Sequence, residues 1–355
     1  MIWNFKRLLS QKYDVVVTNP PYMGGSGMNG RLAQHLKDNY PDSKTDLFAA
    51  FIERCASLMS VPGINAIITQ HSWMFLSSYE KLRQKLRSLD IASMVHLGAK
   101  AFAEIGGEVV QCTAFVVRNG SIKGYKGMYV RLVDFDNADQ KEAEFLSGKN
   151  RYTASSDNFA KIPGMPISYW ASENMLRTFE RGELLGARAK PKSGQNTGNN
   201  ERFVRVWHEV SAQNSAFPVE FKQVGDYKHL KWIPYNKGGE YRKWYGNFDR
   251  LVNWADDGSE VKSYATGRNN GKHWSRYIQN IDYLYKEGIT WSVVTSGRFS
   301  VRYLPVGFIC DYAGCAVFPN SMDIPYLLGL VNVKLVAGIL STMNPTLNGS
   351  VKISL

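Results

Sequence analysis

The chain begins with short apolar runs that alternate with longer segments in which apolar residues recur at helical spacing. The runs contain few polar positions, which predicts strands buried on both faces rather than half-exposed ones. They are residues 13–18, 64–69, 91–97 and 109–117. Helices are predicted behind Ser43–Asp46 and Ser77–Glu80, because both sequences resemble capping boxes. This alternation predicts an α/β fold with a partial doubly wound, Rossmann-like parallel sheet.

The pattern changes after residue 119, and a polar connector predicts a domain boundary near residue 150. Beyond it, short apolar pieces are separated by turn-rich and aromatic sequences, and no long helical pattern occurs before Ser321–Met343. We therefore predict an α/β domain in residues 1–150 and a mixed, mostly β domain in residues 151–355.

Composition narrows the class of protein. Hydrophobic residues make up 44% and charged residues 21% of the 355 residues, a globular balance that allows two hydrophobic cores. No apolar run approaches the about 20 residues that cross a bilayer, and the first residues lack the pattern of a signal peptide. The cysteines and histidines lack the spacing of metal ligands, so no metal is expected. We expect a cytoplasmic protein with no membrane association.

Charge suggests a class of partner. The formal net charge is +12, and most of the excess falls after residue 150, where Trp and Tyr are also frequent. A basic, aromatic-rich surface is typical of proteins that bind a polyanion. A basic surface that serves only solubility would have the same composition and remains an alternative.

The sequence VVVTNPPY places Asn19 at the predicted carboxyl end of the first strand. Ligands of α/β sheets bind at such strand ends. Pro20 and Pro21 stiffen the backbone, and because they lack N–H groups the nearby carbonyls stay free to accept hydrogen bonds. The Asn19 amide oxygen and the Pro20 carbonyl can together accept both hydrogens of an exocyclic amine, and Tyr22 offers a flat face to the ring that carries it. An ordinary turn at a proline pair is the alternative.

Two further features lie near this motif. The glycine-rich residues 24–30 predict a mobile loop beside it. His71 and His96 lie at strand exits near the predicted site, and a structural role explains them more readily than a catalytic one.

The sequence VVTNPPY resembles the catalytic motif of amino-group methyltransferases that use S-adenosylmethionine, above all the adenine-N6 DNA methyltransferases. Further segments, such as SKTDLFAAFIERC and ITQHSWMFLSSYEKLR, resemble the large adenine methyltransferases of BREX phage-exclusion systems. In the second domain, PKSGQNTGNNERFVRVW and GITWSVVTSGRFSVRYLPVGFICD resemble the same group and restriction enzymes that fuse methylation to cleavage. The resemblance covers nearly the whole chain.

This resemblance implies methylation of adenine N6 in double-stranded DNA, as part of phage defence or restriction-modification, with S-adenosylmethionine as the cofactor and the base flipped out of the duplex. Asn19, Pro20, Pro21 and Tyr22 would form the catalytic motif. Asn19 and Pro20 would hold the amino group and also contact the cofactor, while Tyr22 would stack on the adenine ring. Other phage-defence proteins are expected partners.

In the enzymes that the chain resembles, the glycine-rich loop and the acidic residue that bind the cofactor precede the Asn-Pro-Pro-Tyr strand. We therefore expect this chain to be an internal piece of a larger methyltransferase. By this resemblance, residues 1–150 correspond to the C-terminal half of the catalytic domain. Residues 151–355 correspond to a DNA target-recognition domain that is expected to be incomplete.

Several residues of the second domain have side chains suited to DNA. Lys and Arg suit phosphates, and Gln and Asn can pair with adenine edges in the major groove. The candidates are Lys192, Gln195, Asn196, Thr197, Arg202, Arg242, Lys243, Arg298 and Arg302. Arg242 and Lys243 belong to the tract KGGEYRKWYGN, which interleaves cations with aromatic residues. A solvated basic loop is the alternative explanation for any one of them.

Two other functions stay open from the sequence. Enzymes that methylate a glutamine amide in a protein share the Asn-Pro-Pro-Tyr motif, but they are compact and would not need about 200 basic, aromatic-rich residues after the catalytic half. The chain could instead be a catalytically silent DNA-binding or regulatory module.

Overall fold

The computed structural model of the chain describes residues 2–102, 110–216, 229–293, 299–320 and 322–343. These residues form two compact units: the first contains the residues up to Gly182 together with Thr342 and Met343, and the second runs from Glu183 to Ser341. The boundary predicted near residue 150 lies inside the first unit, because the strand Arg151–Ala154 still pairs with the sheet of that unit.

The first unit alternates helices and strands around one sheet. Its helices are α1 (Ile2–Ser10), α2 (Gly30–Asn39), α3 (Leu47–Leu58), α4 (Glu80–Leu86), α5 (Ala138–Leu146), α6 (Ser156–Phe159) and α7 (Glu173–Arg181). Its strands are β1 (Tyr13–Thr18), β2 (Met59–Gln70), β3 (Leu89–Gly98), β4 (Cys112–Asn119), β5 (Gly127–Arg131) and β6 (Arg151–Ala154). The four strands predicted from apolar runs are therefore present, although their bounds differ.

The six strands form a mixed sheet in the order β1-β2-β4-β3-β5-β6. β1 is parallel to β2, and β3 is parallel to β5. β4 runs antiparallel to both of its neighbours, and β6 runs antiparallel to β5. The prediction of a parallel sheet therefore holds for part of the sheet only, because an apolar run indicates burial but not the direction of a strand.

One face of this sheet is covered by helices. Phe48 and Ile52 of α3 and Leu82 of α4 pack with Ile67 and Phe115 of the sheet, and all five are at most 3% exposed. α3 begins at Leu47 because the Asp46 carboxylate caps it by accepting from the Phe48 N–H at 3.3 Å. The capping box predicted at Ser43 does not form. The Ser43 hydroxyl donates to the Glu53 carboxylate instead.

The opposite face of the sheet is apolar and only partly covered by the described residues. Val15 and Val17 of β1 are 55% and 71% exposed, and Ile64 of β2 and Met128 of β5 are 39% and 43% exposed. Residues paired across strands share a face, and the register places these four side chains on the same one. β1 is therefore a half-exposed edge strand, and the prediction that it is buried on both faces is wrong for this structure.

The second unit is built around two four-stranded sheets with the strand orders β13-β9-β10-β8 and β12-β11-β14-β7. The strands are β7 (Ala189–Lys192), β8 (Val204–Val206), β9 (Trp232–Asn236), β10 (Arg250–Asn253), β11 (Gly288–Trp291), β12 (Val301–Leu304), β13 (Ile309–Cys310) and β14 (Ala316–Pro319). The helices are α8 (Asn200–Phe203), α9 (Ala255–Arg268), α10 (Ile324–Val331) and α11 (Lys334–Met343). Sequence analysis did not predict α9.

The helical pattern predicted up to Met343 forms two helices, α10 and α11, bent by 66° at their break. Among the described residues, no single helix is long and apolar enough to cross a membrane. α10 and α11 satisfy the criteria of length and composition only when they are counted together.

Asn65 is a fully buried residue of β2, and neither of its amide atoms has a hydrogen-bond partner among the described residues. A buried polar group without a partner costs about 1–3 kcal/mol. Asn65→Leu removes the polar atoms at similar volume, so we expect it to raise the free energy of unfolding by about 1–2 kcal/mol, measured by urea denaturation.

Asn119→Leu on the neighbouring strand β4 is the matched control. The Asn119 amide donates to the Ser60 carbonyl at 2.8 Å, so this substitution should destabilise the protein. Equal destabilisation by the two substitutions would contradict the assignment of Asn65 as a buried residue whose polar atoms lack hydrogen-bond partners.

Candidate functional site

The segment Asn19–Tyr22 directly follows β1, at the edge of the sheet where β1, β2 and β3 all end. Thr18, the last residue of β1, pairs with Ile67 of β2. Because β4 runs in the opposite direction, its first residue, Cys112, lies at this same edge opposite Gln70. The motif therefore occupies the edge at which α/β sheets bind their ligands.

Asn19 and Pro20 present unused hydrogen-bond acceptors. Asn19 is exposed, and its side-chain amide forms no hydrogen bond within the described part of the chain. Pro20 as a whole residue is buried while Pro21 is exposed, and the Pro20 carbonyl likewise has no partner among the described residues. Two adjacent oxygens are thus free to accept hydrogen bonds from a ligand.

Tyr22 is partly buried and held by contacts on two sides. Its ring meets the Phe48 ring edge-on, with centroids 5.9 Å apart and an interplanar angle of 80°. Its hydroxyl lies 3.8 Å from the Cys112 Sγ. Burial, followed by the neighbouring thiol, raises the pKa of the Tyr22 hydroxyl, so the side chain is neutral at physiological pH. α3 and β4 therefore fix the position of this ring.

The main chain after Tyr22 is anchored to the start of α3. The Met23 N–H donates to the Asp46 carboxylate at 3.0 Å, and the Gly25 N–H donates to the Thr45 carbonyl at 3.2 Å. The start of this segment is therefore anchored, whereas the sequence predicted a mobile loop over residues 24–30. Asp46 caps α3 and holds this loop at the same time. Sequence analysis missed its role, and the N-cap position before a helical pattern was the available signal.

A buried histidine pair lies at the same edge of the sheet. His71 Nδ1 and His96 Nε2 are 2.7 Å apart, and His96 Nδ1 lies 3.1 Å from the Tyr169 hydroxyl. Burial lowers the pKa of His71 to about 4. Burial, with the charges of His71 and Arg131, holds the pKa of His96 well below its usual value. The pair is neutral at neutral pH and links the ends of β2 and β3.

Metal-ligating side chains do not converge in this region. No group of three or more His, Cys, Asp or Glu side chains within the described ranges could hold a metal ion. All four cysteines are free. Burial raises the pKa of the Cys112 thiol, which is therefore neutral where it contacts Tyr22.

Two side chains predicted to contact DNA are buried in the second unit and bonded within it. The Gln195 amide donates to the Gln279 carbonyl at 2.6 Å and accepts from the Gln279 N–H at 2.8 Å. The Thr197 hydroxyl donates to Asn200 Oδ1 at 3.0 Å. Both side chains are 2% exposed, so their polar groups support the fold.

The predicted contacts Lys192 and Arg302 lie in one sheet of this unit but differ in exposure. Arg302 is 1% exposed, its guanidinium donates to the Ser292 hydroxyl at 3.2 Å, and burial lowers its pKa to about 10. Lys192 is only partly buried, and its ammonium lies 4.7 Å from the centre of the Tyr283 ring. Arg298 lies outside the described residues.

The remaining four predicted contacts are exposed. Asn196 accepts from the Gly198 N–H through its side chain, and Arg202 forms an ion pair with Glu260 at 2.6 Å. Arg242 and Lys243 form no ion pair with a carboxylate of the described chain. These two adjacent cations are therefore the most available for a ligand.

Arg242 and Lys243 belong to the loop between β9 and β10, residues 237–249, which we call the aromatic loop. An open cavity of about 610 Å³ adjoins it. Three cationic side chains line this cavity, from Lys237, Arg242 and Arg250. Sequence analysis did not single out Arg250, because it belongs to β10 and no motif marks it.

Comparison with known proteins gives the following matches. Residues 2–102 match the model of the Eco57I restriction-modification methylase family. The chain is 42% identical over 357 residues to the adenine-specific methyltransferase PglX of Lacticaseibacillus casei (strain Zhang), covering 96% of this chain and 29% of PglX. It is also 42% identical over 346 residues to the adenine-specific methyltransferase BrxX of Escherichia coli O9:H4 (strain HS), covering 96% of this chain and 27% of BrxX. The chain thus spans less than a third of the length of these relatives.

Two solved structures have a similar fold. The Type IIL restriction-modification enzyme MmeI, determined in complex with DNA, aligns with a TM-score of 0.59 and 13% identity, covering 95% of this chain and 44% of MmeI. DrdV, determined in complex with DNA, aligns with a TM-score of 0.51 and 12% identity, covering 90% of this chain and 38% of DrdV.

The buried histidine pair makes stability depend on pH. The pKa of His71 is about 4 in the folded state and about 6.5 in the unfolded state, so the unfolded state binds more protons as pH falls below 6.5. The contribution of His71 to the free energy of unfolding is therefore fully present above about pH 6.5 and decreases as the pH falls towards 4. We expect one such histidine to make the free energy of unfolding about 2 kcal/mol lower at pH 5 than at pH 7. Urea denaturation at both pH values measures this difference.

His71→Gln should reduce this difference between the two pH values, even where it lowers stability overall. His35→Gln, at an exposed position of α2, is the matched control and should keep the wild-type pH dependence. If His71→Gln kept that dependence as well, the histidine pair would not be its source.

Proposed function

This chain is related over nearly its whole length to the adenine-specific methyltransferases PglX and BrxX, and from that premise we propose that it carries a target-base site and a DNA-contact surface. The proposed reaction is transfer of a methyl group from S-adenosylmethionine to N6 of an adenine in double-stranded DNA. The adenine must leave the duplex first, because its amino group is otherwise inaccessible.

The observation that carries this proposal is the pair of free acceptors at the end of β1. The exposed Asn19 amide oxygen and the adjacent Pro20 carbonyl can accept the two N–H groups of an adenine amine. A stiff proline pair keeps this spacing constant, so the amine is oriented without a cost at the moment of reaction.

These two hydrogen bonds would also activate the amine. The N6 lone pair of adenine is delocalised into the ring, which makes the nitrogen a poor nucleophile. Acceptors placed on both N–H groups return electron density to the nitrogen and favour the tetrahedral geometry needed for attack. The proton leaves after transfer, so the site needs no base of shifted pKa beforehand.

Tyr22 would stack on the flipped base. Its ring is positioned by Phe48 and Cys112, and the residue is only partly buried. Base flipping costs a few kcal/mol, and stacking on an aromatic side chain returns about 1–3 kcal/mol. A neutral phenol suits this role because it adds no charge against the phosphates of DNA.

The residues at this edge fit one side of the cofactor. S-adenosylmethionine supplies an electrophilic methyl group, and Asn19 with Pro20 would lie where that group meets the amine. Within the described chain, no strand pairs with the outer edge of β1. Val15 and Val17, on the open face of the sheet, are also uncovered. We therefore propose that further polypeptide covers this side and holds the rest of the cofactor.

The second unit would supply contacts to the DNA backbone. The exposed side chains Asn196, Arg202, Arg242 and Lys243, with the partly exposed Lys192, form the proposed set. Cations that contact phosphates position the duplex and contribute affinity that depends on salt. Gln195, Thr197 and Arg302 are left out, because their side chains are buried.

The second candidate function is a DNA-binding module without catalysis of its own. The open side of β1 favours it for the isolated chain, because a cofactor bound only through Asn19 and Pro20 would have few contacts. Methylation of a protein glutamine is disfavoured, because both relatives are adenine-specific methyltransferases.

We expect Asn19→Ala to abolish methylation. The assay uses PglX in which the homologous segment is replaced by this chain, and mass spectrometry measures N6-methyladenine in plasmid DNA. Loss of one preorganised hydrogen-bond partner of a reacting group should lower the rate about 10²- to 10³-fold. Asn39→Ala, at an exposed position of α2, is the control and should keep full activity. Methylation that persisted in Asn19→Ala would remove Asn19 from the mechanism.

We expect the isolated chain to bind S-adenosylmethionine weakly, with no saturable heat at 100 μM in isothermal titration calorimetry, because the outer side of β1 is uncovered. The PglX chimera should bind it with one-to-one stoichiometry. A one-to-one titration by the isolated chain would show that it holds the cofactor by itself. DNA binding without methylation by the chimera would favour the silent module.

A further inference from the structure

The aromatic loop displays three large rings to solvent. Tyr241 and Trp244 are each 48% exposed, and Tyr245 is 64% exposed. Single exposed aromatic residues are common on protein surfaces, but a cluster within five residues marks an interaction site more often. None of these rings belongs to the contact set proposed above.

The backbone of the loop contains one conformation that is unfavourable for its residue. Gly238, Gly239, Gly246 and Asn247 have positive φ angles, which glycine and asparagine adopt readily. Trp244 also has a positive φ, 77°, although its side chain is bulky. A positive φ at a bulky residue is strained, and strained residues are frequent at functional positions.

Main-chain hydrogen bonds hold Trp244 in this conformation. Its N–H donates to the Val301 carbonyl at 3.1 Å, and its carbonyl accepts from the Tyr303 N–H at 2.9 Å. The Ser300 hydroxyl donates to the Arg242 carbonyl at 2.9 Å. The loop is therefore bound to β12 and presents the indole from a fixed main chain, which lowers the entropy that a ligand contact would cost.

Tyr245, the second exposed ring, packs on other aromatic side chains. Tyr245 meets Phe248 edge-on with centroids 5.0 Å apart, and Phe248 in turn packs on the buried Phe308 at 4.7 Å. Tyr245 is thus held in place by this ladder of rings and still exposes most of its surface. Trp244 and Tyr245 are thus consecutive residues that each expose aromatic surface, of 48% and 64%, from a loop anchored to the unit.

Cationic side chains lie near these exposed rings. The Lys243 ammonium lies 4.7 Å from the centre of the Trp244 ring. Lys237, Arg242 and Arg250 line the adjoining cavity, whose carboxylates come from Glu240 and from Asp249, the ion-pair partner of Arg250. Of these cations, the guanidinium of Arg242 is exposed and free of ion pairs within the described residues.

We propose that the aromatic loop is a base-stacking site for DNA, in which Trp244 and Tyr245 stack on an unpaired nucleobase and Arg242 takes the neighbouring phosphate. This inference rests on the proposed function, since it requires the second unit to bind DNA. Every nucleobase has a π-face, so stacking tolerates any sequence, and a guanidinium beside the rings satisfies the phosphate of the same nucleotide. The charge around the rings favours a polyanion over an apolar protein partner.

The test compares two 30-base-pair duplexes, one fully paired and one with a single bulged 2-aminopurine. Fluorescence anisotropy measures affinity, and quenching of 2-aminopurine reports stacking. The chain should bind the bulged duplex about 10- to 100-fold more tightly and quench its fluorescence. Trp244→Ala should remove the preference and the quenching, and Trp244→Phe should restore most of both. Trp244→Gly, which relieves the positive φ, should lose both although it folds at least as well.

Arg242→Ala separates the phosphate contact from stacking. It should lower the slope of log K against log[salt] by about 1 on both duplexes and leave the quenching in place. Tyr326→Ala, an exposed ring of α10 outside the loop, is the matched control and should change neither measurement.

Three results would overturn the proposal. If Trp244→Ala and Trp244→Gly kept the preference for the bulge while Arg242→Ala changed the salt slope, the loop would contact only phosphates and the proposed function would stand. If Tyr326→Ala lost the preference as well, the stacking site would lie elsewhere on the unit. If the wild-type chain bound neither duplex, the proposed DNA surface and this inference would both fail, and a protein partner would become the occupant to test.

Discussion

The parallel pairing of β1 with β2 is the constraint on which the candidate site depends. Consecutive pairs that end at Thr18 and Ile67 fix the point at which the chain leaves the sheet. The proline pair that follows cannot extend the ladder, because proline has no N–H donor, so the ladder stops beside Asn19. The Asn19 side-chain amide forms no hydrogen bond within the described residues. A shift of one residue would turn these side chains to the other face and separate Tyr22 from Phe48. One strand register thus sets the acceptors, the ring and the anchored loop together.

Much of the first unit could be predicted from the sequence. The spacing of apolar residues predicts four of its six strands and the helices α3 and α4. The sequence around Asn19 predicts the resemblance to adenine methyltransferases, which the matches to PglX and BrxX confirm. The direction of β4 could not be predicted, because an apolar strand has the same composition in either direction. Nor could the exposure of Val15 and Val17, because a valine pattern indicates that a face needs cover and does not indicate which polypeptide provides it. The roles of the residues at Asn19–Tyr22 stay predictions.

In the second unit, the type of a residue predicted its availability for DNA contacts less well than its position in the fold. Gln195 and Arg302 have the functional groups that contact DNA, yet both are buried: the Gln195 amide bonds the main chain of Gln279, and the Arg302 guanidinium donates to the Ser292 hydroxyl. Arg242 and Trp244 are exposed because glycines and one asparagine shape the loop that carries them. Burial of this kind follows from pairing between strands that are distant in sequence, which local patterns do not contain.

The open side of β1 has a consequence for handling the protein. Within the described residues, the outer edge of β1 is unpaired and its valines are exposed. Such an edge is a template on which another chain can form a ladder, which drives aggregation. The hazard is limited in length, because β1 has six residues and a proline pair closes its far end. Self-association of the isolated chain would therefore compete with docking of the polypeptide that we propose covers β1, and an excess of that polypeptide should keep the chain in solution.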